Sequence, residues 1–458
     1  RGLGDVYKRQ LIYHPLSQKA KKPFLLLLNF MFYAIGGVKF LPLLALTVAF
    51  NFFAAQKLER TERKRGLLTL VLVLNLGALG LFKYLGFFGE LLGCTGVQLS
   101  LPQLALPIGI SFYTFVICGY MIDVYRGREA ERNFLDFALF TTFFPAILSG
   151  PIERSKSLLP QFKQPRRANA DDVRFAAERL IEGTVKKVLL ADNLAILVNT
   201  AYADPAQFSG LELAFAAVAY ALQIYCDFSA YSDMAIGSAR LFGITLMENF
   251  HAPYMAQSSK EFWHRWHISL SSWFRDYVYI PLGGNRKGAA CTYRNLLIVF
   301  FLTGMWHGAG MAFILWGLYH GLFLILERVW LGKKLEKLPG IVGWGYTVTA
   351  VFFGWILFRA ENISLFFTYV RNMFVAHGGT ILLSAYLDSK MIFLIVMGVL
   401  FAGVLQKIYE KVRVHSAGKI PANGMVTVPR MIACMVIFWL SVAALVNNSY
   451  NPFIYFRF

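Results

Sequence analysis

Between Leu67 and Leu92 this chain carries only two charges, Lys83 and Glu90, and a run so long and so apolar limits the folds open to it. A membrane-crossing helix takes about 20 residues, and this run exceeds that length. Leu211–Tyr225, Leu296–Met305, Ile341–Phe358, Met391–Leu405 and Met431–Val446 are further apolar runs, some extending into less apolar flanks. Phe24–Phe53 and Leu104–Met121 are apolar but interrupted by Gly or Pro. The chain is 57% hydrophobic and 16% charged. Soluble domains carry about 25% charged residues, so this chain needs lipid as part of its solvent. The pattern predicts an all-α, polytopic membrane protein with about 10 to 12 membrane-embedded helices.

The net charge of +19 could suggest nucleic acid. Its placement argues otherwise. The basic residues cluster between apolar runs, at Lys19–Lys22, Lys57–Arg65, Arg126–Arg132, Arg154–Lys187 and Arg286–Arg294. Such clusters are what the positive-inside rule expects of cytoplasmic loops, and no nucleic-acid partner is expected. The stretch Glu153–Lys187 reads as a cytoplasmic loop running into an interfacial amphipathic helix. Five scattered cysteines, Cys94, Cys118, Cys226, Cys291 and Cys434, form no C-x-x-C pair and read as small apolar filler. Residues 1–10 are polar and basic without a signal-peptide pattern. They read as a non-native or disordered N-terminus, with a first helix missing, ahead of a single membrane domain over 11–458. No internal repeat stands out, which weakens a transporter reading.

The most informative segment is Ser258–Tyr279. Ser258 and Glu261 fit a capping box, so a helix should start there. Continued as one helix, it places Trp263, Trp266, His267, Leu270, Trp273, Phe274 and Tyr277 on a stripe about 120° wide. Arg265, Ser269, Ser272, Arg275 and Asp276 fall opposite. His267 thus sits in an aromatic face. It is either a structural histidine of an interfacial belt or a polar group aimed into a buried cavity. His264 lies toward the edge of the stripe. His264 and His267 diverge by about 60° with no acidic third ligand nearby, so no metal site is expected.

Two more histidines lie in apolar sequence. His307 occurs in Gly304-Met305-Trp306-His307-Gly308, and His320 ends Trp316-Gly317-Leu318-Tyr319-His320. An ionisable side chain at membrane depth is costly and is a functional candidate, although His320 could equally be the hydrogen-bond partner of another buried group. Asn295–Trp330 is expected to hold a broken pair of helices. Tyr220, Gln223, Asp227 and Tyr231 fall on one helix face, with Asp233 close behind. Each Asp reads as cavity-facing or as an ion-pair partner of Arg240 or of an Arg in the Trp/His helix. There is no G-x-S-x-G, P-loop or Rossmann glycine pattern. A buried neutral histidine suits general-base work near pH 7.

These residues resemble the membrane-bound O-acyltransferase (MBOAT) family, and within it the alginate O-acetyltransferase-like branch. The resemblance rests on Gly150–Arg154, Tyr225–Gly237, Glu248–Phe250, Glu261–Ser271, Trp273–Tyr277, Pro281–Arg286, Trp306–Ala309 and Pro452–Phe456. It implies a ring of tilted helices around a tunnel. It makes His307 the essential membrane histidine and general base. His267 takes a position that is His or Asn across the family, orienting the donor carbonyl or sharing the proton. Asp227, Asp233, Arg275 and Asp276 would be supports, with Trp263, Trp306 and His320 lining the tunnel. No resident cofactor is implied. The donor would be a thioester, acetyl-CoA or an acyl carrier protein, entering from the cytoplasmic side of a bacterial cell membrane. A secreted or periplasmic esterase-like partner would finish acetylation of a cell-surface polysaccharide. D-alanyl transfer for teichoic acid synthesis is the rival within the family, and the Pro281–Arg286 stretch favours the alginate-type branch. Peptidoglycan or cellulose acetylation fits the same residues. A transporter or channel and a membrane scaffold are the readings from other classes.

Overall fold

In a computed structural model the protein is described at residue 13 and over residues 15–93, 101–102, 104–375, 379, 388–408, 428–447 and 453. Residues 1–10, expected to be non-native or disordered, lie outside the described residues, as does Cys94. The regular structure among the described residues is helical. The helices used below are α1 (Gln18–Gly37), α2 (Leu41–Arg60), α3 (Lys64–Gly93), α4 (Ile110–Tyr125), α5 (Phe134–Thr142), α6 (Ser155–Lys163), α7 (Ala170–Thr184), α8 (Asp192–Ala203) and α9 (Gly210–Arg240). They continue with α10 (Ser259–Arg265), α11 (Ile268–Phe274), α12 (Ala289–His307), α13 (Met311–Leu326), α14 (Gly340–Arg359), α15 (Ile363–Phe374), α16 (Ser389–Val399) and α17 (Val428–Asn447). Seven helical segments among the described residues are long and apolar enough to cross a membrane, and α4 is a shorter apolar helix. The protein is a multi-pass membrane protein.

The chain divides into two compact units, residues 1–179 with 234–247, and residues 180–233 with 248–458. In the first unit, polar side chains join apolar helices. Asn51 of α2 and Asn75 of α3 exchange two amide hydrogen bonds of 2.9 Å. Asn29 of α1 donates to Thr142 Oγ1 and accepts from Phe144 N. In lipid, where apolar contact gives no hydrophobic gain, such bonds hold helices together.

Glu153 of the Gly150–Arg154 motif is buried in this unit. Its carboxyl accepts from Met247 N at 2.7 Å and from Ser157 Oγ at 3.2 Å. Burial pushes its pKa up to about 7, against the opposing pull of those hydrogen bonds. The folded state therefore prefers the protonated acid. Its contribution to stability is complete below about pH 4.5 and is lost as pH rises through 7. Detergent-solubilised protein is expected to lose on the order of 3 kcal/mol across that window through this group. Glu153→Gln, which keeps an acceptor without the charge, should flatten the pH dependence of its melting temperature. An equally steep curve in the variant would refute this.

The second unit holds the expected broken helix pair. α12 ends at His307, Gly308 and Gly310 are extended, and α13 returns from Met311. The pair packs very closely. A Cβ at Gly304 would lie 2.2 Å from Phe313 O, and one at Gly317 would lie 2.1 Å from Phe300 O. Only glycine permits that approach, and the approach sets the height of His307 against α13. The Pro281–Arg286 motif is a turn ahead of α12. The wholly buried Asn295 ties it down by donating to Leu282 O and Gly284 O.

Two expectations change here. Ser258–Tyr279 is not one helix. α10 ends at Arg265, Trp266 is extended, and His267 has φ 46°, in the left-handed region. α11 then starts at Ile268, followed by a wider π turn over Arg275–Tyr279. The cap does form, since Ser258 Oγ accepts from Glu261 N, although Glu261 itself reaches back to Gln257 N. Ser269, expected on the outer side, is fully buried. The second change concerns Lys186 and Lys187. They do not lie in a solvated loop. Both are buried, on a π-helical stretch at Val185–Ala191 that continues from α7.

Candidate active site

Three buried histidines meet among aromatic rings in the second unit. His267, His307 and His320 are 0%, 4% and 1% exposed. The rings of His267 and His307 lie 6.4 Å apart, and Trp306 stands beside both at 5.7 and 5.0 Å. Trp316 and Phe358 enclose His307 at 5.0 and 5.2 Å. Phe228 of α9 packs edge-on to His267 at 4.7 Å. His320 is one ring further away, touching Trp263 at 5.1 Å and Trp316 at 5.2 Å. Three buried polar atoms in this cluster, Trp263 Nε1, Trp316 Nε1 and His320 Nε2, have no hydrogen-bond partner among the described residues. Buried polar groups are normally satisfied, so such a set marks a place where a polar ligand would be welcome.

The break between α10 and α11 explains how His267 is held. Asn249 Oδ1 accepts from Ser269 N at 3.1 Å and from Ser269 Oγ at 2.9 Å, and lies 3.2 Å from His267 Nδ1. A backbone N–H can only donate, so this oxygen is an acceptor and His267 Nδ1 must carry its proton. Nε2 is then the basic nitrogen, on the side away from Asn249. The Asn249 carbonyl also accepts from Ile268 N, and its amide nitrogen donates to Ser232 Oγ at 3.3 Å. One buried asparagine therefore fixes the backbone immediately after a left-handed histidine, at Ile268 and Ser269, and selects its tautomer. Burial pushes the His267 imidazole down to about 3, so it is neutral at pH 7. Asn249→Leu should lower turnover on the order of 10²-fold or more, the size of loss that a misoriented imidazole gives. Asn249→Asp should instead move the acid limb of the rate–pH profile upward, because an added carboxylate favours the imidazolium. An unmoved profile in Asn249→Asp would refute this role.

Asp227 and Asp233 meet neither Arg240 nor an Arg of the Trp/His segment. Lys187 Nζ donates to Asp227 at 2.8 Å and pairs with Asp192 at 2.8 Å. Lys186 Nζ donates to Asp233 at 2.8 Å and also pairs with Glu182. Burial alone would depress the Lys186 pKa, but the Asp233 and Glu182 carboxylates outweigh it and hold it well above the ordinary value. Arg240 pairs with Asp172 in the first unit. Arg275 is exposed and pairs with its neighbour Asp276, apart from the histidine cluster. His264 is exposed by its surface area, and partial desolvation together with Lys260 and Arg275 lowers its pKa. Among the described residues no three His, Cys, Asp or Glu side chains are grouped as metal ligands. Sequence reasoning missed Asn249, Trp316 and Phe358 as parts of the site.

The profile of the MBOAT, membrane-bound O-acyltransferase family matches residues 122–371. A Pseudomonas putida protein named probable alginate O-acetylase is 38% identical over 98% of this chain and 96% of its own length. A Helicobacter pylori peptidoglycan O-acetyltransferase is 36% identical over 80% of this chain and 77% of its own length. A Bacillus subtilis teichoic acid D-alanyltransferase is 28% identical, over 56% of this chain and 69% of its own length.

Proposed function

This chain belongs to the membrane-bound O-acyltransferase family, and from that premise we propose that it moves acetyl groups toward hydroxyls of a bacterial cell-surface polysaccharide. The observation that carries the reading is the pair of buried rings, His267 and His307, 6.4 Å apart inside an aromatic enclosure. In the reaction His307 takes the proton of an acceptor hydroxyl while its oxygen attacks the carbonyl carbon of a thioester. The carbon–sulfur bond breaks, and the thiolate leaves with the proton from the His307 imidazolium. His267, neutral and with its Nδ1 proton committed to Asn249, offers Nε2 as an acceptor. That favours sharing the proton over orienting the donor carbonyl, which would need a donor there. The buried tryptophans exclude water, which would hydrolyse the thioester.

The donor is acetyl-CoA or an acyl carrier protein thioester, reached from the cytoplasmic side of the inner membrane, with a secreted esterase-like partner completing transfer. The extent of the match supports acetylation over D-alanyl transfer, since the D-alanyltransferase aligns over little more than half of this chain. The test is ester content of surface polymer in a bacterial host stripped of its own acetylase. Acetyl esters that return with this chain support the reading. D-alanyl esters would move it to the rival, and no ester, with the protein present in the membrane, would overturn both.

A further inference from the structure

Arg359 ends α14 one residue after Phe358, whose ring touches His307. Its guanidinium carries five N–H donors, and Asn199 Oδ1, 3.1 Å from Nη2, is the one acceptor the described residues give it. No carboxylate pairs with it among those residues. An arginine at the end of a membrane helix ordinarily extends toward the interface. This one is half-buried and lies over the Tyr202 ring, 5.3 Å from its centroid. Tyr202 stacks on Tyr369 at 4.4 Å and packs against Tyr220 at 5.9 Å. Tyr369 Oη donates to Leu213 O and is occupied. Tyr220 Oη is not. That side chain is 1% exposed, its hydroxyl has no hydrogen-bond partner among the described residues, and its ring packs against Tyr202, the ring beneath Arg359.

A half-buried cation with unused donors, one ring away from a buried and unsatisfied hydroxyl, favours a counter-charge there. The planar fork of a guanidinium matches two oxygens of a carboxylate or phosphate. We propose that Arg359 and Tyr220 form an anion subsite at the end of α14, the helix whose Phe358 packs on His307, which takes the carboxylate or phosphate of a reactant. The inference rests on the acyl-transfer reading above, because it assigns the anion to one of that reaction's two substrates. An acidic sugar would bring a carboxylate with the acceptor. A thioester carrier would bring a phosphate with the donor.

Binding to the full-length protein in detergent separates these sources without requiring turnover. The probes are coenzyme A, pantetheine (which lacks its phosphates), a uronic-acid oligomer and the same oligomer with its carboxyls reduced. Arg359→Gln should weaken one charged probe about 10- to 100-fold and leave its neutral counterpart unchanged. Loss confined to coenzyme A assigns the donor phosphate, and loss confined to the uronate assigns the acceptor. Tyr220→Phe, which removes a single oxygen, should weaken the same probe by a smaller factor and serves if Arg359→Gln does not fold. The subsite is refuted if the wild type binds neither charged probe, if both variants bind as the wild type does, or if neutral probes weaken equally. Acetyl transfer by the wild type, assayed alongside, keeps failure of the subsite distinct from failure of the enzymatic reading.

Discussion

Replacing His307 by Ala is expected to lower acetyl transfer by about 10²–10⁴, the usual contribution of a general base, while the protein remains in the membrane. The site gives reason to separate the two effects. His307 sits at the C-terminal end of α12, between Trp306, Trp316 and Phe358, so truncation also leaves a void among packed rings. His307→Gln fills most of that void with a side chain that does not titrate. If both variants lose polymer-bound acetyl while immunoblots show wild-type amounts in the membrane, loss of the base is the cause. If His307→Gln retains full activity, His307 is a packing residue and the proposed chemistry is wrong. His320 touches Trp263 and Trp316 rather than the other two imidazoles, so His320→Gln should cost less than either His307 variant.

The second large effect concerns stability. Lys187→Met should destabilise the detergent-solubilised protein by about 3–5 kcal/mol, because it removes the buried cation that pairs with both the Asp227 and Asp192 carboxylates. Asp227→Leu should cost less, since Lys187 keeps Asp192 as a counter-charge. The double variant Lys187→Met with Asp227→Leu should recover much of the loss, as apolar pairs of similar volume often replace buried ion pairs at little cost. Thermal unfolding followed by tryptophan fluorescence would rank the three. A double variant as unstable as the sum of the singles would refute direct coupling between the two side chains.

The apolar runs gave the helices away because a membrane leaves few alternatives. Leu67–Leu92 lies within α3, Ile341–Phe358 within α14, and Met431–Val446 within α17. The histidines were legible for the same reason, since a polar ring in Met305-Trp306-His307 or Leu318-Tyr319-His320 has to be explained. The break at Trp266–His267 was not legible. Residues on both sides keep the helical spacing, and Trp263, Trp266, Leu270 and Trp273 are all buried as one continuous stripe would bury them. What interrupts the helix is Asn249, 18 residues upstream of His267 in sequence, and no local pattern reports it. Lys186 and Lys187 were misread because a basic pair at the end of a polar stretch looks solvated. Glu182 and Asp192 are near them in sequence, but the buried partners Asp233 and Asp227 lie 47 and 40 residues away, beyond the reach of any periodicity.

The left-handed backbone at His267 has a consequence for substitution. Most L-residues strain at φ near +46°, whereas Asn, Asp and His adopt that region several-fold more readily than others. Conformation alone narrows the choice to glycine and these few polar residues, before any chemistry is considered. A residue there must first suit the hinge between two short helices and only then serve the reaction. The alphabet open to variation at 267 is therefore set by a torsion angle as much as by a proton.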